Sequence, residues 1–137
     1  MIYIDTSAVL KLVHPEPQSD ALRAWMADNP GDLVSSALVR TEARRVLLRN
    51  DPAALLNLPA VLSVIAQIPV SEAVLDSAAA LPGPLLRTLD AIHLASAEAV
   101  AGVAFVVAYD GRLIEAAAQR GLSVASPARR AGVTVVA

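Results

Sequence analysis

The chain has no cysteine, only two histidines, few aromatic residues and no long apolar run. The absence of cysteine among 137 residues excludes disulfides and thiolate sites for zinc or iron–sulfur clusters, and it is typical of a reducing compartment. His14 and His93 alone cannot build a multi-histidine metal centre. Any metal ion is therefore expected to be a hard cation held by oxygen atoms, which means magnesium or manganese before zinc.

Hydrophobic residues make up 55% of the chain, yet they give no membrane-spanning segment. The longest apolar run, 99–109, is about half the length that a spanning helix needs. The N-terminus has no basic segment before its apolar residues and carries Asp5, which argues against a signal peptide. We expect a single domain over residues 1–137, located in the cytoplasm. The net charge of −2 argues against a broadly basic nucleic-acid-binding protein but allows a local basic patch.

Short apolar runs alternate with segments of helical periodicity along the chain. Strands are predicted at 2–4, 33–35, 68–70, 104–108 and 122–126. Helices are predicted at about 6–13, 19–27, 37–49, 52–66, 71–80, 88–101 and 111–120, with Asp51 and Thr88 as caps and a bend at Pro59. This alternation indicates an α/β fold with a parallel sheet covered on both faces. The C-terminal stretch 128–137 carries no functional signal, and its last residues could add an edge strand or fray.

Two acidic residues follow apolar strands. Asp5 ends the first strand and Asp110 ends the most apolar one, and each leads into a helix. Because ligands of open α/β sheets lie beyond the carboxyl ends of the strands, we expect both acids at one shared site. Each also has a simpler structural interpretation, Asp5 as a helix N-cap and Asp110 as part of an Asp-Gly turn.

Two further acids lie on predicted helices. Asp90 falls in the first turn of a mostly apolar helix, where the helix dipole favours an anion and burial requires a partner. Glu42 shares a helix face with Arg45 and Arg49, and an ion pair with Arg45 is the simpler interpretation of its position. His93, one turn after Asp90, is interpreted as a packed or hydrogen-bonded core histidine rather than a metal ligand.

Convergence of these four acids would require either protonation or a divalent cation to relieve their repulsion. Two like charges about 4 Å apart cost roughly 4 kcal/mol at an effective dielectric of about 20. A divalent cation offsets this repulsion, and Mg²⁺ binds one or two carboxylates directly while keeping several waters. The residue types therefore fit metal-assisted phosphodiester hydrolysis by an activated water. This physical argument does not distinguish RNA from DNA.

Four stretches resemble the motifs of the PIN-domain family, in particular its VapC-like toxins from bacterial toxin–antitoxin pairs. In chain order they are "YIDTSAVLKL", "VRTEARRVLLR", "LRTLDAIHLASA" and "FVVAYDGRLIEAAAQRGL". The resemblance implies a three-layer α/β/α fold with a central, mainly parallel sheet, and a Mg²⁺- or Mn²⁺-dependent endoribonuclease. It implies a catalytic metal site with two assisting hydroxyls; the acids are Asp5, Glu42, Asp90 and Asp110, and the hydroxyls are Thr6 and Ser7. One position departs from the pattern, since Ala108 stands where the family commonly has threonine.

The resemblance also implies partners. It implies a homodimer, an RNA substrate and a small cognate antitoxin whose tail covers the acidic site. Since RNA is drawn to positive charge, four arginines near the acids are candidate RNA contacts: Arg45, Arg49, Arg87 and Arg112. With one tryptophan, two tyrosines and one phenylalanine, the sequence shows no platform on which single-stranded bases could stack.

Two other function classes stay open at this point. A Mg²⁺-dependent phosphotransfer enzyme or receiver domain also gathers acids at strand ends. The dehalogenase-like type needs a second aspartate two residues after the first, where this chain has Ser7, and a receiver needs a late lysine, whereas the only lysine is Lys11. The other alternative is a PIN-like module that binds RNA or a partner without cleaving, and Ala108 is the one feature that favours it.

Overall fold

A parallel sheet of five strands lies at the centre of the fold. The computed structural model describes residues 1–130 and 133–135, with side chains for residues 1–128. The five strands are β1 (Ile2–Ile4), β2 (Leu33–Ser36), β3 (Ile65–Ile68), β4 (Phe105–Val107) and β5 (Val124–Ala125). Their order in the sheet is β3-β2-β1-β4-β5, and all neighbouring pairs are parallel.

Helices connect the strands and cover the sheet. They are α1 (Thr6–Val13), α2 (Ser19–Asp28), α3 (Leu38–Asn50), α4 (Leu58–Leu62), α5 (Glu72–Ala80), α6 (Thr88–Ala99) and α7 (Gly111–Gln119), with a 3₁₀ segment at Pro52–Asn57. Seven of these eight segments begin within one or two residues of a predicted helix start; α4 continues the segment that begins at Pro52.

The alternation of side chains in β1 separates the two sides of the sheet. Ile2 and Ile4 pack into a core with α1, α2 and α3, whereas Tyr3 points to the opposite face and packs with Val34 and Ala97. Successive side chains of a strand point to opposite faces, and all three of these β1 side chains are buried. Helices therefore cover both faces, which confirms the predicted three-layer α/β/α fold with a parallel sheet.

The topology places the carboxyl ends of β1 and β4 side by side. Ile4 is paired with Val107, and the backbone N–H of Asp5 donates to the carbonyl oxygen of Val107 at 3.1 Å. Asp5 leaves β1 directly, and Asp110 follows three residues after the end of β4. Both acids thus lie at the same edge of the sheet.

The third strand lies three residues earlier than predicted. It spans Ile65–Ile68 instead of 68–70. Residues 65 and 66, which the sequence predicts to end a helix, therefore belong to the strand. Short apolar segments do not distinguish a buried helix from a strand by periodicity alone. Pairing with β2, in which Leu33 faces Ile65, fixes the position of the strand, and Pro69, which has no N–H to donate, follows its last residue.

One predicted cap is wrong and another lacks its side-chain hydrogen bond. Thr88 is the first residue of α6, and Arg87 occupies the N-cap position. Asp51 occupies the N-cap position of the 3₁₀ segment as predicted, but its side chain makes no capping hydrogen bond, and its Oδ2 lies 3.4 Å from Nδ1 of His14. The same helix α6 ends two residues earlier than predicted, since Val100 adopts an extended conformation.

The C-terminal stretch forms a separate two-stranded sheet rather than an edge of the main one. β6 (Ala128–Arg130) pairs antiparallel with β7 (Val133–Val135). Residues 131, 132, 136 and 137 of the stretch lie outside the described residues. Among the described residues, no helix is long and apolar enough to cross a bilayer.

Candidate metal centre

Asp5 is a buried acid that uses one oxygen to cap α1. Its Oδ1 accepts hydrogen bonds from the Ser7 hydroxyl at 2.6 Å and from the Ala8 backbone N–H at 3.0 Å. Burial raises the pKa of Asp5 to about 6, although these two hydrogen bonds oppose the increase. The N-cap interpretation is therefore correct for Oδ1, and it leaves Oδ2 without a protein donor among the described residues.

Asp110 has the same arrangement at the start of α7. Its Oδ1 accepts from the backbone N–H groups of Arg112 and Leu113, at 2.9 and 3.4 Å. Ser7 links this loop to Asp5, because its oxygen accepts from the backbone N–H of Tyr109 at 2.9 Å while its hydroxyl donates to Asp5. One serine thus ties the two acid-bearing segments together.

Glu42 turns from its own helix towards α1 and α6. Its Oε1 accepts from the Thr6 hydroxyl at 2.7 Å and lies 2.7 Å from Nε2 of His93. Burial alone would raise the pKa of Glu42, but the hydrogen bond with His93, the attraction to its ring and the Thr6 hydroxyl lower it overall. The simpler interpretation, an ion pair with Arg45, is wrong, because the carboxylate is engaged by these two other residues.

Asp90 lies in the first turn of α6, where its Oδ2 is buried without a hydrogen-bond partner among the described residues. Burial raises the pKa of Asp90, and the nearby charge of Asp110 raises it further, against a lowering by His93 and Arg87. A buried polar oxygen without a partner is costly and uncommon in native structures. The sequence predicts that a buried Asp90 needs a partner, and no described protein group supplies one to its Oδ2.

Three pairwise electrostatic effects connect the four acids. The charge of Glu42 raises the pKa of both Asp5 and Asp90, and the charge of Asp110 raises that of Asp90. The topology therefore brings all four acids to one region of the molecule.

The oxygen atoms at this edge fit a hard divalent cation. Asp5, Glu42 and Asp110 each accept hydrogen bonds from protein donors on one carboxylate oxygen and have no protein donor on the other within the part of the chain that the structure describes. Asp90 has a buried oxygen with no hydrogen-bond partner among the described residues. Within residues 1–130 and 133–135, no three acidic or histidine side chains are already close enough to hold one ion together. Because Mg²⁺ binds through one or two carboxylates and keeps several waters, it does not require such a group.

All four candidate RNA contacts are exposed and follow or precede one of the acids closely in the chain. Arg45 and Arg49 are exposed on α3, one and two turns beyond Glu42 on the same face. Arg87 is exposed and close enough to Asp90 to lower its pKa. Arg112 is exposed on α7, two residues after Asp110.

The residue at the position that departs from the family pattern is fully buried. Ala108 has no exposed surface and packs against Leu94 and Leu113. Its methyl group therefore contributes to the core and offers no polar atom to the acids.

Sequence reasoning missed the role of His93. As expected, it is a buried, hydrogen-bonded histidine, 2% exposed, but its partners include two residues of the candidate site, Glu42 and Thr6. The available signal was its position three residues after Asp90, which places both residues on adjacent positions of one helix face.

The comparison with family models decides between the fold families considered. Residues 2–119 match the model of the PIN domain. The chain belongs to the PIN-domain family. The match spans all four of the predicted acids.

Curated relatives of this PIN-domain chain come from Mycobacterium tuberculosis. Ribonuclease VapC35 is 40% identical over 131 residues, which cover 93% of this chain and 97% of that protein. Ribonuclease VapC46 is 40% identical over 127 residues, 92% of this chain and 97% of that protein. Ribonuclease VapC47 is 38% identical over 133 residues, 93% of this chain and 97% of that protein. The predicted resemblance to VapC-like toxins is confirmed.

A solved structure supports the fold. The crystal structure of Mycobacterium tuberculosis VapC20, described as a sarcin–ricin loop cleaving toxin, superposes with a TM-score of 0.70. The alignment covers 85% of this chain and 95% of that one at 21% sequence identity. At this identity the likeness shows that the PIN-like fold is shared, and no more.

Proposed function

We propose that this chain is a metal-dependent endoribonuclease, the toxin of a toxin–antitoxin pair, that hydrolyses RNA phosphodiester bonds at the acidic edge of its sheet. The observation that carries the proposal is the set of carboxylate oxygens without protein donors, above all the buried Oδ2 of Asp90. Relatives named ribonucleases that align over almost the whole chain support the class of reaction. Residues 1–137 would act as one PIN-like domain in the cytoplasm, where RNA is found.

Asp5 and Asp90 are the proposed principal ligands of Mg²⁺, with Mn²⁺ as a substitute, and Glu42 and Asp110 complete the pocket. A bound divalent cation supplies a Lewis acid that offsets the charge developing on the phosphodiester and activates water. Burial of Asp5 and Asp90 raises the pKa of each, so both would gain from a positive charge beside them. Ser7 assists by holding the Asp5 and Asp110 segments together.

RNA, an antitoxin and a second copy of the chain are the proposed partners. The exposed guanidinium groups of Arg45 and Arg49, with Arg87 and Arg112, would bind RNA phosphates near the acids. Arginine suits this role because its planar group forms paired hydrogen bonds with phosphate. The antitoxin and the dimer are proposed from the family, and the exposed apolar side chains of Leu85 and Leu89, shortly before Asp90 in the chain, suit a covered surface.

The test is RNA cleavage by the purified protein with Mg²⁺, with Mn²⁺ and with EDTA. We expect cleavage only when a divalent ion is present, because the free carboxylate oxygens alone do not offset charge on the phosphate. Asp5→Asn and Asp90→Asn should each lower the cleavage rate by at least about a hundredfold, a loss of roughly 2.7 kcal/mol of transition-state stabilisation.

Asp76→Asn is the matched control, since it makes the same change at an exposed position of α5. It should cleave like the wild type. Undiminished cleavage by a folded Asp5→Asn or Asp90→Asn protein would contradict the proposal. RNA binding without cleavage in any metal would favour the non-catalytic module instead.

A further inference from the structure

A buried chain of hydrogen bonds runs from the sheet to the candidate metal centre. The hydroxyl of Tyr3 lies 2.7 Å from Nδ1 of His93. On the other side of the ring, Nε2 lies 2.7 Å from Oε1 of Glu42 and 3.2 Å from the Thr6 hydroxyl oxygen. Tyr3, Thr6 and His93 are all buried, so water does not easily replace these contacts.

The contacts of Nε2 require a proton on that nitrogen. An ionised carboxylate only accepts hydrogen bonds, so its 2.7 Å contact with Nε2 needs an N–H donor. The Thr6 hydroxyl has one proton, which it donates to the same oxygen of Glu42 at 2.7 Å. Its oxygen must therefore also accept in the contact with His93. Both partners of Nε2 are acceptors.

Tyr3 is the hydrogen-bond partner of His93 on the opposite side of the ring. On this side Nδ1 accepts from the Tyr3 hydroxyl when the ring is neutral and donates to its oxygen when the ring is charged. Burial strongly raises the pKa of Tyr3, which keeps this hydroxyl protonated. The position of Tyr3 in β1, on the face that packs against α6, aims the hydroxyl at the ring.

Both hydrogen bonds to Glu42 end on one oxygen. Oε1 receives Thr6 and His93, and among the residues that the structure describes no donor reaches Oε2. Hydrogen bonds from outer residues commonly orient a metal ligand and raise its affinity for the ion. The effect here is that one oxygen of the carboxylate is held while the other stays free.

We propose that His93 is a positioning residue of this centre: Tyr3 holds the ring at Nδ1, and the Nε2–H of His93 with the Thr6 hydroxyl holds Oε1 of Glu42 so that Oε2 faces a divalent cation or the water around it. This inference rests on the proposed metal-dependent function. It assigns a role to two residues, Tyr3 and His93, that do not themselves touch the ion.

The first test observes the proton directly in the metal-free protein. In ¹⁵N NMR spectra of histidine-labelled protein, the signals that His93→Gln removes belong to His93, and the others belong to His14. We expect a protonated Nε2, with Tyr3→Phe shifting the Nδ1 signal because its hydrogen-bond partner is removed. An unprotonated Nε2 would overturn the inference.

The second test measures Mn²⁺ affinity by calorimetry. We expect His93→Leu to weaken binding by about tenfold or more, the range seen for outer-shell partners of metal ligands. His93→Gln keeps an N–H donor and should recover part of the loss. His14→Leu is the matched control, because His14 contacts Glu16 instead of the proposed centre, and it should bind Mn²⁺ like the wild type.

The outcomes separate this inference from the proposed function. Unchanged Mn²⁺ affinity in a folded His93→Leu protein, together with abolished affinity in Asp5→Asn, would overturn the inference and leave the function standing. Unchanged affinity in Asp5→Asn as well would contradict the proposed function. If His93→Leu does not fold, the milder Tyr3→Phe variant decides, since unchanged Mn²⁺ affinity there overturns the role of the chain of hydrogen bonds.

Discussion

At the scale of single residues, the acids of this centre divide two tasks between their two oxygens. Oδ1 of Asp5 and Oδ1 of Asp110 cap helices, and Oε1 of Glu42 is held by Thr6 and His93. The second oxygen of each has no protein donor among the described residues. The simpler cap interpretation of an aspartate and its functional interpretation are therefore compatible.

Asp5 should make the metal-free protein less stable as the pH rises. A carboxyl group with a higher pKa in the folded than in the unfolded chain stabilises the fold when protonated, and this contribution is lost as the pH rises through the folded pKa. For Asp5 the window runs from its ordinary pKa of 3.8 to about 6. Asp5→Asn keeps an oxygen for the cap and removes the charge. We expect this variant to be more stable than the wild type at pH 7 by roughly 1–3 kcal/mol.

The measurement is urea unfolding in EDTA at pH 5 and at pH 7. Asp90, whose pKa is also raised, and Glu42, whose pKa is lowered, are present in both proteins, so the difference reports the Asp5 carboxyl together with its interaction with Glu42. Asp76→Asn, an exposed change, should follow the wild type at both pH values. If the stability difference between Asp5→Asn and the wild type does not grow from pH 5 to pH 7, burial does not raise the pKa of Asp5.

At the scale of the helix, α3 has two exposed basic faces that differ in their relation to the acids. Arg45 and Arg49 lie three and seven residues after Glu42 and share its face, whereas Arg40 and Arg44 lie about 160–200° away at 100° per residue. We expect Arg45→Ala with Arg49→Ala to weaken RNA binding. The negative slope of log affinity against log salt concentration should become shallower by about 0.7 for each phosphate of single-stranded RNA that the variant no longer neutralises.

Binding is measured in an Asp5→Asn background, so that RNA is not cleaved during the titration. The control pair, Arg40→Ala with Arg44→Ala, removes the same charge from the same helix on the other face. It should change the salt slope less. Equal losses from the two pairs would mean that only net charge matters and that the face of Glu42 is not the RNA surface.

The elements also show what the sequence could and could not reveal. The first helix is predicted to its last residue, because an acid cap, an apolar face and Pro15 mark its limits. The predicted position of β3 is wrong, because the apolar stretch before Pro69 suits a helix or a strand and only pairing with β2 decides between them. Local patterns are sufficient where start and stop signals are present, and they fail where a neighbouring strand sets the register.

The partners of Glu42 illustrate the same limit within the site. Its helix face follows from the sequence, but its hydrogen bonds reach Thr6 and His93, which lie 36 and 51 residues away in the chain. Tyr3 and His93 are 90 residues apart. Periodicity carries no information on such distant pairs, so the sequence indicated the acids, through their positions and the family resemblance, but not the residues that hold them.

At the scale of the whole molecule, the strand order explains why four distant motifs meet. β1 lies at the centre of the sheet between β2 and β4, so the segments that follow these strands emerge at one edge. They carry Asp5, Glu42 and Asp110 respectively, and α6, which packs on the same sheet, brings Asp90. Carboxylates buried together at a sheet edge are stable only with protonation or a counter-ion, and the pKa values of Asp5 and Asp90 are raised first by burial and further by neighbouring acids.

We expect these acids to share one divalent ion, which anomalous X-ray diffraction from crystals grown with Mn²⁺ can locate. A manganese peak should lie within coordination distance of Asp5 and Asp90, with Oε2 of Glu42 and Oδ2 of Asp110 facing the ion directly or through water. The peak should be absent from Asp90→Asn crystals grown in the same way. A wild-type structure in which manganese binds elsewhere, while Asp5 and Asp90 point to separate places, would contradict the account.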